Sequence, residues 1–390
     1  MTSDKRWLLP DGIDELLPDR ASAVESMRRR LLDECAHWGF QFVIPPLVEF
    51  TDSLLVGLGA DLDILTCQFA DRLSGRMLGV RADMTPQAAR IDAHSLGEDG
   101  VTRLCYAGST LHSTPQSIVA GRSPIQLGAE IYGCADVSAD LETIDLMLAL
   151  VSQAAGEDRA ITLDIGHVGV YEALLTELDT TSNSGEAVFD ALQRKSLPDL
   201  DAAIGDLSAP LAASLRALTE LHGAQDVLPR ARTLVADLPS ALQAVEEVQT
   251  VVSAVERAHP KVAIYIDLAE LRGFQYHTGL VFAAYIDGVG AAVAKGGRYD
   301  NVGAVFGRAR PATGFACDLK ALTDAAAEGV LSPRRVISAP ALFSADLESQ
   351  VNQLRQAGCI VIRAHDDEHH ARCREQLIKR GTDWVCEPLG

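Results

Sequence analysis

The sequence predicts an α+β fold: an antiparallel sheet with flanking helices, interrupted by a helical insertion and followed by a small C-terminal α/β unit. Three observations predict it. Short apolar runs recur in the first part of the chain, most of them too closely spaced for a helix between each pair. From 171 to 258 the texture becomes Ala- and Leu-rich with helical periodicity. Strand-like runs then resume, so the sheet is expected to draw strands from both sides of the insertion.

Residues 20–38 space Val24, Met27, Leu31, Leu32 and Cys35 on one face against charged residues and stop at Gly39, which predicts a helix. Residues 40–44 form an apolar and aromatic run halted by Pro45 and Pro46, a strand leading to a turn or sheet edge. Further strands are predicted at 76–80, 103–107, 125–132 and 160–163. In the insertion, Pro198, Pro210, Pro229 and Pro239 break the helical pattern. Strands return at 263–268 and 280–285, then a Gly-rich segment precedes an apolar run at 313–317. After a linker at Leu331, Ser332 and Pro333, the runs 336–343, 347–357, 359–363, 368–380 and 383–385 alternate strand and helix, a βαβαβ unit. The domains are thus 1–170 and 259–330 for the sheet, 171–258 for the insertion and 331–390 for the terminal unit. No internal repeat or low-complexity segment is seen.

The chain has 390 residues, 47% of them hydrophobic, enough to bury a core in more than one domain. Its net charge of -20 disfavours nucleic acid, whose phosphate backbone is gripped by Lys and Arg. The 8 cysteines are scattered with no CxxC pair, so no metal site is expected and the thiols read as small apolar residues in a reducing compartment. The opening lacks the apolar stretch of a secretory signal and no later run is long enough for a bilayer, so no membrane partner and a cytoplasmic location are expected.

Several stretches resemble one family in order and spacing. WGFQFVIPPLVEF (38–50) resembles the first motif of class II aminoacyl-tRNA synthetases, a dimer-interface element. VRADMTPQAARI (80–91) looks like the start of the histidine pocket of histidyl-tRNA synthetases. RLCYAGSTLHSTPQ (103–116) with IQLGAEIYG (125–133) is similar to the second motif and its following strand. LRGFQYHTGLVF (271–282) resembles the histidine-specific motif, and GGRYD (296–300) with ATGFACDLKAL (312–322) resembles the approach to the third. The resemblance spans nearly all of 7–325 and implies a class II synthetase-like fold.

The departures carry the functional reading. The family presents arginines to ATP from the second and third motifs. Here the first loop reads Leu111, His112, Ser113, Thr114, Pro115, Gln116, with no cation, and Ala321 stands at the other arginine position behind Asp318 and Lys320. A charge-assisted phosphate contact contributes roughly 1.5–3 kcal/mol, so losing two weakens ATP binding by about two to four powers of ten. Adenylate formation rests on such cations, and no catalytic residue or cofactor is expected. By position in the resemblance, Asp83, Thr85, Gln126, Glu130, Arg272, Tyr276 and His277 match residues around bound histidine. Carboxylates accept from ammonium and imidazole N–H groups, and arginine pairs with a carboxylate. Asp83 is shorter than the family's Glu, and His277 replaces a tyrosine.

A kept amino-acid pocket, missing ATP cations and a shortened, acidic terminal unit resemble the HisZ family. That resemblance implies a regulatory chain, with histidine as effector, that dimerises and joins the short-form ATP phosphoribosyltransferase catalytic subunit in a hetero-octamer. The alternatives are a histidyl-tRNA-synthetase-like amino-acid-activating enzyme and an RNA-binding module. Taken alone, Asp83 and Glu130 read as surface or salt-bridged carboxylates, Arg272-Gly273 as a turn and His112 as a solvated loop residue. The glycines of GGRYD serve backbone geometry, while Arg122, Arg298, Arg308 and Arg310 remain candidates to hold an anion. His365, His369 and His370 beside Asp366, Asp367 and Glu368 read as a solvated helix start.

Overall fold

The computed structural model describes residues 7–55, 60–115, 121–156, 158–176, 184–271, 276–326, 335–365 and 371–389, without the side chains of 60–62, 175, 184 and 186. Two compact units divide the chain, Met1–Val330 and Leu331–Gly390. In chain order the strands are β1 (Gln41–Phe42), β2 (Val48–Phe50), β3 (Cys67–Ala70), β4 (Met77–Val80), β5 (Thr102–Ser109), β6 (Ile125–Tyr132), β7 (Ile161–His167) and β8 (His222–Gly223). There follow β9 (Ala263–Asp267), β10 (Leu280–Ile286), β11 (Ala294–Arg298), β12 (Ala312–Asp318), β13 (Val336–Pro340), β14 (Ile360–Ala364), β15 (Glu375–Arg380) and β16 (Asp383–Pro388).

The first unit is built on a nine-stranded sheet in the order β1-β5-β6-β12-β11-β10-β7-β9-β8. Its centre, from β5 to β7, is antiparallel throughout, while β1 joins β5 and β9 joins β7 in parallel. Strands from both sides of the insertion therefore interleave. The helix Pro18–His37 buries Val24, Met27, Leu31 and Cys35, the stripe its spacing predicts, and starts with Pro at its first position, where a missing N–H costs nothing.

Three features depart from the sequence reading. The 76–80 run does form a strand, but in a separate sheet of order β2-β4-β3. A helix at Val137–Ala155 goes unread in the sequence because its buried side is wide, so that Leu146, Met147, Leu148, Ala149, Leu150 and Val151 form a continuous apolar run without the spacing of a narrow stripe. Asp136 caps it, accepting from Ser138 N at 2.9 Å. The Gly-rich segment contains a full strand, β11, paired with β10 and β12. A Cβ at Gly296 would stand 2.3 Å from the Gly314 carbonyl, and one at Gly297 2.5 Å from the His277 ring, so close approach explains the glycines.

The insertion holds the helices Val168–Thr176, Ser184–Gln193, Leu197–Ala203, Ala209–Leu218, Val227–Leu234 and Pro239–Ala258. Pro198, Pro210 and Pro239 lie in the first turns of their helices rather than interrupting them.

In the second unit β14-β13-β15-β16 form one sheet, with β13 and β14 parallel across the helix Ala345–Gln356. The helix predicted at 368–380 is overturned: Glu375–Arg380 is strand β15, paired antiparallel with β16. Glu, Gln, Lys, Arg and Leu favour a helix by propensity, but Leu377 is buried with Ile337, Leu347, Val351 and Val361, and a two-residue turn with Gly381 at φ 61° returns the chain. Residues 366–370, with His369 and His370, lie outside the described residues; His365 is exposed.

Candidate functional site

Strand β6 organises the site. Alternation puts Gln126, Glu130 and Tyr132 on one face and Leu127, Ala129 and Ile131 on the other. Register sets Leu104 of β5 and Gly314 of β12 beside Glu130. A Cβ on Gly314 would fall 1.5 Å from Glu130 Oε2, so only glycine leaves room for this carboxyl.

Glu130 is fully buried. The Tyr106 hydroxyl donates to its Oε1 at 2.8 Å, and the Tyr299 hydroxyl donates to Oε2. Tyr106 also bonds Thr85 Oγ1 at 2.9 Å. Thr85 opens the short helix Thr85–Arg90, and its N–H donates to Asp83 Oδ1 at 2.9 Å. Gln126 closes the link, donating from Nε2 to the same oxygen at 2.9 Å and accepting from Met84 N at 2.8 Å. On the other side Tyr276 stacks on Tyr299 with ring centroids 5.2 Å apart, and His277 meets Tyr276 edge-on at 5.4 Å.

Six of the seven residues singled out in the sequence thus fall into one connected cluster. Arg272 lies outside the described residues. Tyr106, Tyr299 and Gly314 were not singled out, although all three lie within the quoted motifs; tyrosines in strands read as β-formers, and their aim at Glu130 depends on register across three strands.

Burial pushes the Glu130 carboxyl up to about 8; the two tyrosine hydroxyls oppose this and the charge of Asp83 adds to it. Burial likewise raises the hydroxyls of Tyr106, Tyr132, Tyr276 and Tyr299 well above the usual tyrosine value. Among the described residues neither Asp83 nor Glu130 forms an ion pair, and the buried Tyr276 hydroxyl has no hydrogen-bond partner. Two carboxyls, several hydroxyls and one unmet hydroxyl suit a small molecule with a positive charge and N–H donors.

The positions resembling the ATP face are arranged differently. His112 is buried, not solvated, and bonds the Ala82 carbonyl through Nε2 at 3.0 Å, because its segment is held by a bridge to Thr66 and by Arg122. Arg122 donates to the carbonyls of His112 and Asp11. Asp318 caps the helix Leu319–Asp324, and Lys320 Nζ pairs with Asp14 at 2.6 Å. The remaining anion candidates are taken up within the chain: Arg298 pairs with Asp140 at 2.6 Å, Arg308 with Asp99 at 2.6 Å and Arg310 with Asp92 at 2.8 Å. Their acidic partners lie far off in sequence, which is why the reading left them open. No group of three or more His, Cys, Asp or Glu among the described residues is placed to hold a metal ion, and no described helix is long and apolar enough to cross a membrane.

A family model described as histidyl-tRNA synthetase matches residues 12–322, and one described as the ATP phosphoribosyltransferase subunit HisZ C-terminal domain matches 334–387. Proteins named ATP phosphoribosyltransferase regulatory subunit from Marinobacter nauticus and Pseudomonas savastanoi are each 45% identical over 395 residues, covering 100% of both chains. A crystal structure of an ATP phosphoribosyltransferase regulatory subunit/histidyl-tRNA synthetase from Bacillus halodurans is 25% identical, with TM-score 0.81 over 95% of each chain. A chain of the HisG:HisZ ATP phosphoribosyl transferase complex from Thermotoga maritima shares the fold at TM-score 0.58 and 20% identity, over 76% of this chain and 97% of that one. With full-length identity of this order and both family models matched in sequence, the chain belongs to the family of ATP phosphoribosyltransferase regulatory subunits, built on the class II synthetase fold.

Proposed function

We propose that this chain is the non-catalytic regulatory subunit of ATP phosphoribosyltransferase in the first step of histidine biosynthesis, required for that enzyme's activity and its feedback by histidine. One observation supports the reading: the linked carboxyls of Asp83 and Glu130 have no ion-pair partner among the described residues, while the cations expected to grip a nucleotide are absent or neutralised by the chain's own carboxylates. Such a chain binds an amino acid without activating it.

Histidine enters with a cation and imidazole N–H donors toward Asp83 and Glu130, between Thr85, Gln126, Tyr276 and His277, with its carboxylate toward Arg272. The filled pocket favours one arrangement of the complex, which requires a difference in histidine affinity between two states of roughly 1–3 kcal/mol. The partner is the short-form catalytic subunit, in a hetero-octamer built on dimers of this chain in the cytoplasm. Exposed Phe42, Ile44 and Leu47, beside the sheet edge formed by β1, support self-association.

Calorimetry on the purified chain tests the pocket. Histidine is expected to bind the wild type, Glu130→Ala to abolish that binding, and a complex carrying the variant to escape inhibition. Full inhibition of the variant complex would remove the sensor from this pocket, and histidine-dependent ATP–pyrophosphate exchange would overturn the non-catalytic assignment.

A further inference from the structure

The insertion holds an open concavity of about 510 Å³ that shares no residue with the tyrosine-ringed site; it is lined by the exposed Lys195, Leu197, Glu220, His222 and Arg230 and the buried Thr219. Its volume lies in the range that small ligands occupy. The cationic and N–H-bearing side chains reach it from separate elements: Lys195 from the turn before Leu197–Ala203, His222 from β8 and Arg230 from the helix Val227–Leu234.

Each is held from behind by one contact. Lys195, with φ 51° the one described non-glycine residue in the left-handed region, pairs through Nζ with the buried Asp267. His222 bonds the Tyr265 hydroxyl through Nδ1 at 2.8 Å, and the two rings lie 6.2 Å apart. Arg230 donates from Nη2 to the Glu220 carbonyl at 2.9 Å. These contacts use a small share of the donors. An ammonium has three N–H groups and a guanidinium five, and with the Tyr265 hydroxyl donating, the imidazole keeps its proton on Nε2.

In a chain of net charge -20, Arg230 has no carboxylate partner among the described residues, whereas Lys195 is already paired with Asp267, so the attraction of the concavity for an anion rests on the Arg230 guanidinium. Fixed donors of this kind match phosphate oxygens, and the Glu220 carboxylate in the same lining accepts from hydroxyls. We propose that this cavity binds a small phosphate monoester bearing hydroxyl groups, of sugar-phosphate size. The phosphate lies against Arg230 and His222, Lys195 stays paired with Asp267 at the rim, and the hydroxyls face Glu220.

The test is calorimetric titration of the full chain with ribose 5-phosphate, ribose and inorganic phosphate in parallel. Ribose 5-phosphate is expected to bind saturably and more tightly than inorganic phosphate, and ribose not at all. Arg230→Gln, at an exposed position whose loss leaves no buried charge unpaired, is expected to weaken ribose 5-phosphate about tenfold or more while the circular dichroism spectrum stays unchanged. No saturable binding up to about 10 mM, equal affinity for inorganic phosphate, or undiminished binding by Arg230→Gln overturns the proposal.

Discussion

Replacing Glu130 by Gln isolates the cost of keeping an ionisable group in the site. Burial lifts this carboxyl from an ordinary 4.5 to about 8 in the folded chain. Between those values the folded state holds a proton that the unfolded chain has released, so stability is fully present below the lower value and falls as pH rises. At about 1.4 kcal/mol for each pH unit, the loss from this group is about 3 kcal/mol by pH 7 and on the order of 5 kcal/mol once the folded carboxyl has ionised. Glutamine has nearly the same shape and does not titrate. The variant is therefore expected to match the wild type, up to a constant offset, near pH 5 and to exceed it progressively toward pH 8. Urea unfolding followed by circular dichroism at fixed pH from 5 to 9 measures this, and the difference between the proteins cancels every other titrating group. A difference that stays flat across the window would refute the argument that Glu130 is desolvated and protonated in the empty site.

Gly314→Ala places a methyl 1.5 Å from Glu130 Oε2, so it is expected to abolish histidine binding and to destabilise the chain by about 1–3 kcal/mol; unchanged calorimetry would mean the strands part easily there. Arg298→Met leaves the buried Asp140 without its cation, an expected loss of about 3–5 kcal/mol in urea unfolding that shrinks as the pH falls and Asp140 takes a proton. Gly381→Ala forces a side chain into the left-handed turn between β15 and β16, and Gly358→Ala does the same after the helix Ala345–Gln356, each costing about 1 kcal/mol in the unfolding of the second unit measured by urea titration.

Legibility in the sequence followed the range of the interaction that decided each element. The helix at Pro18–His37 and strand β6 are set by local periodicity, and both were readable. The helix at Val137–Ala155 buries a wide side against the sheet and neighbouring helices, so its apolar residues run on continuously from 146 to 151 and the spacing that reveals a surface helix is masked. Strand β15 reads as helix by composition and is a strand because β13 and β16 pair with it. The same division runs through the site. Thr85 with Asp83 is a contact across two residues, whereas Tyr299 reaches Glu130 across 169 positions, and Arg310 reaches Asp92 across 218. The first kind is visible in a motif; the second needs the register of the folded sheet.

The placing of charge explains how this scaffold can bind without doing chemistry. Arg298, Arg308 and Arg310, the candidates to hold an anion, and Lys320, next to the Ala321 position, already hold Asp140, Asp99, Asp92 and Asp14. An incoming phosphate would displace a carboxylate at the same distance, exchanging one anion for another with little net gain. The tyrosine-ringed site is the reverse, since no described cation pairs with Asp83 or Glu130, and a ligand's positive charge gains a charge-assisted bond of roughly 1.5–3 kcal/mol to the Asp83 carboxylate, or to Glu130 once it gives up its proton, that nothing in the empty site supplies. That is the size of a typical coupling free energy between two sites. An occupied pocket can therefore bias a two-state complex through a single such bond, provided the geometry around Glu130 differs between the states, and no phosphate chemistry on this chain is needed.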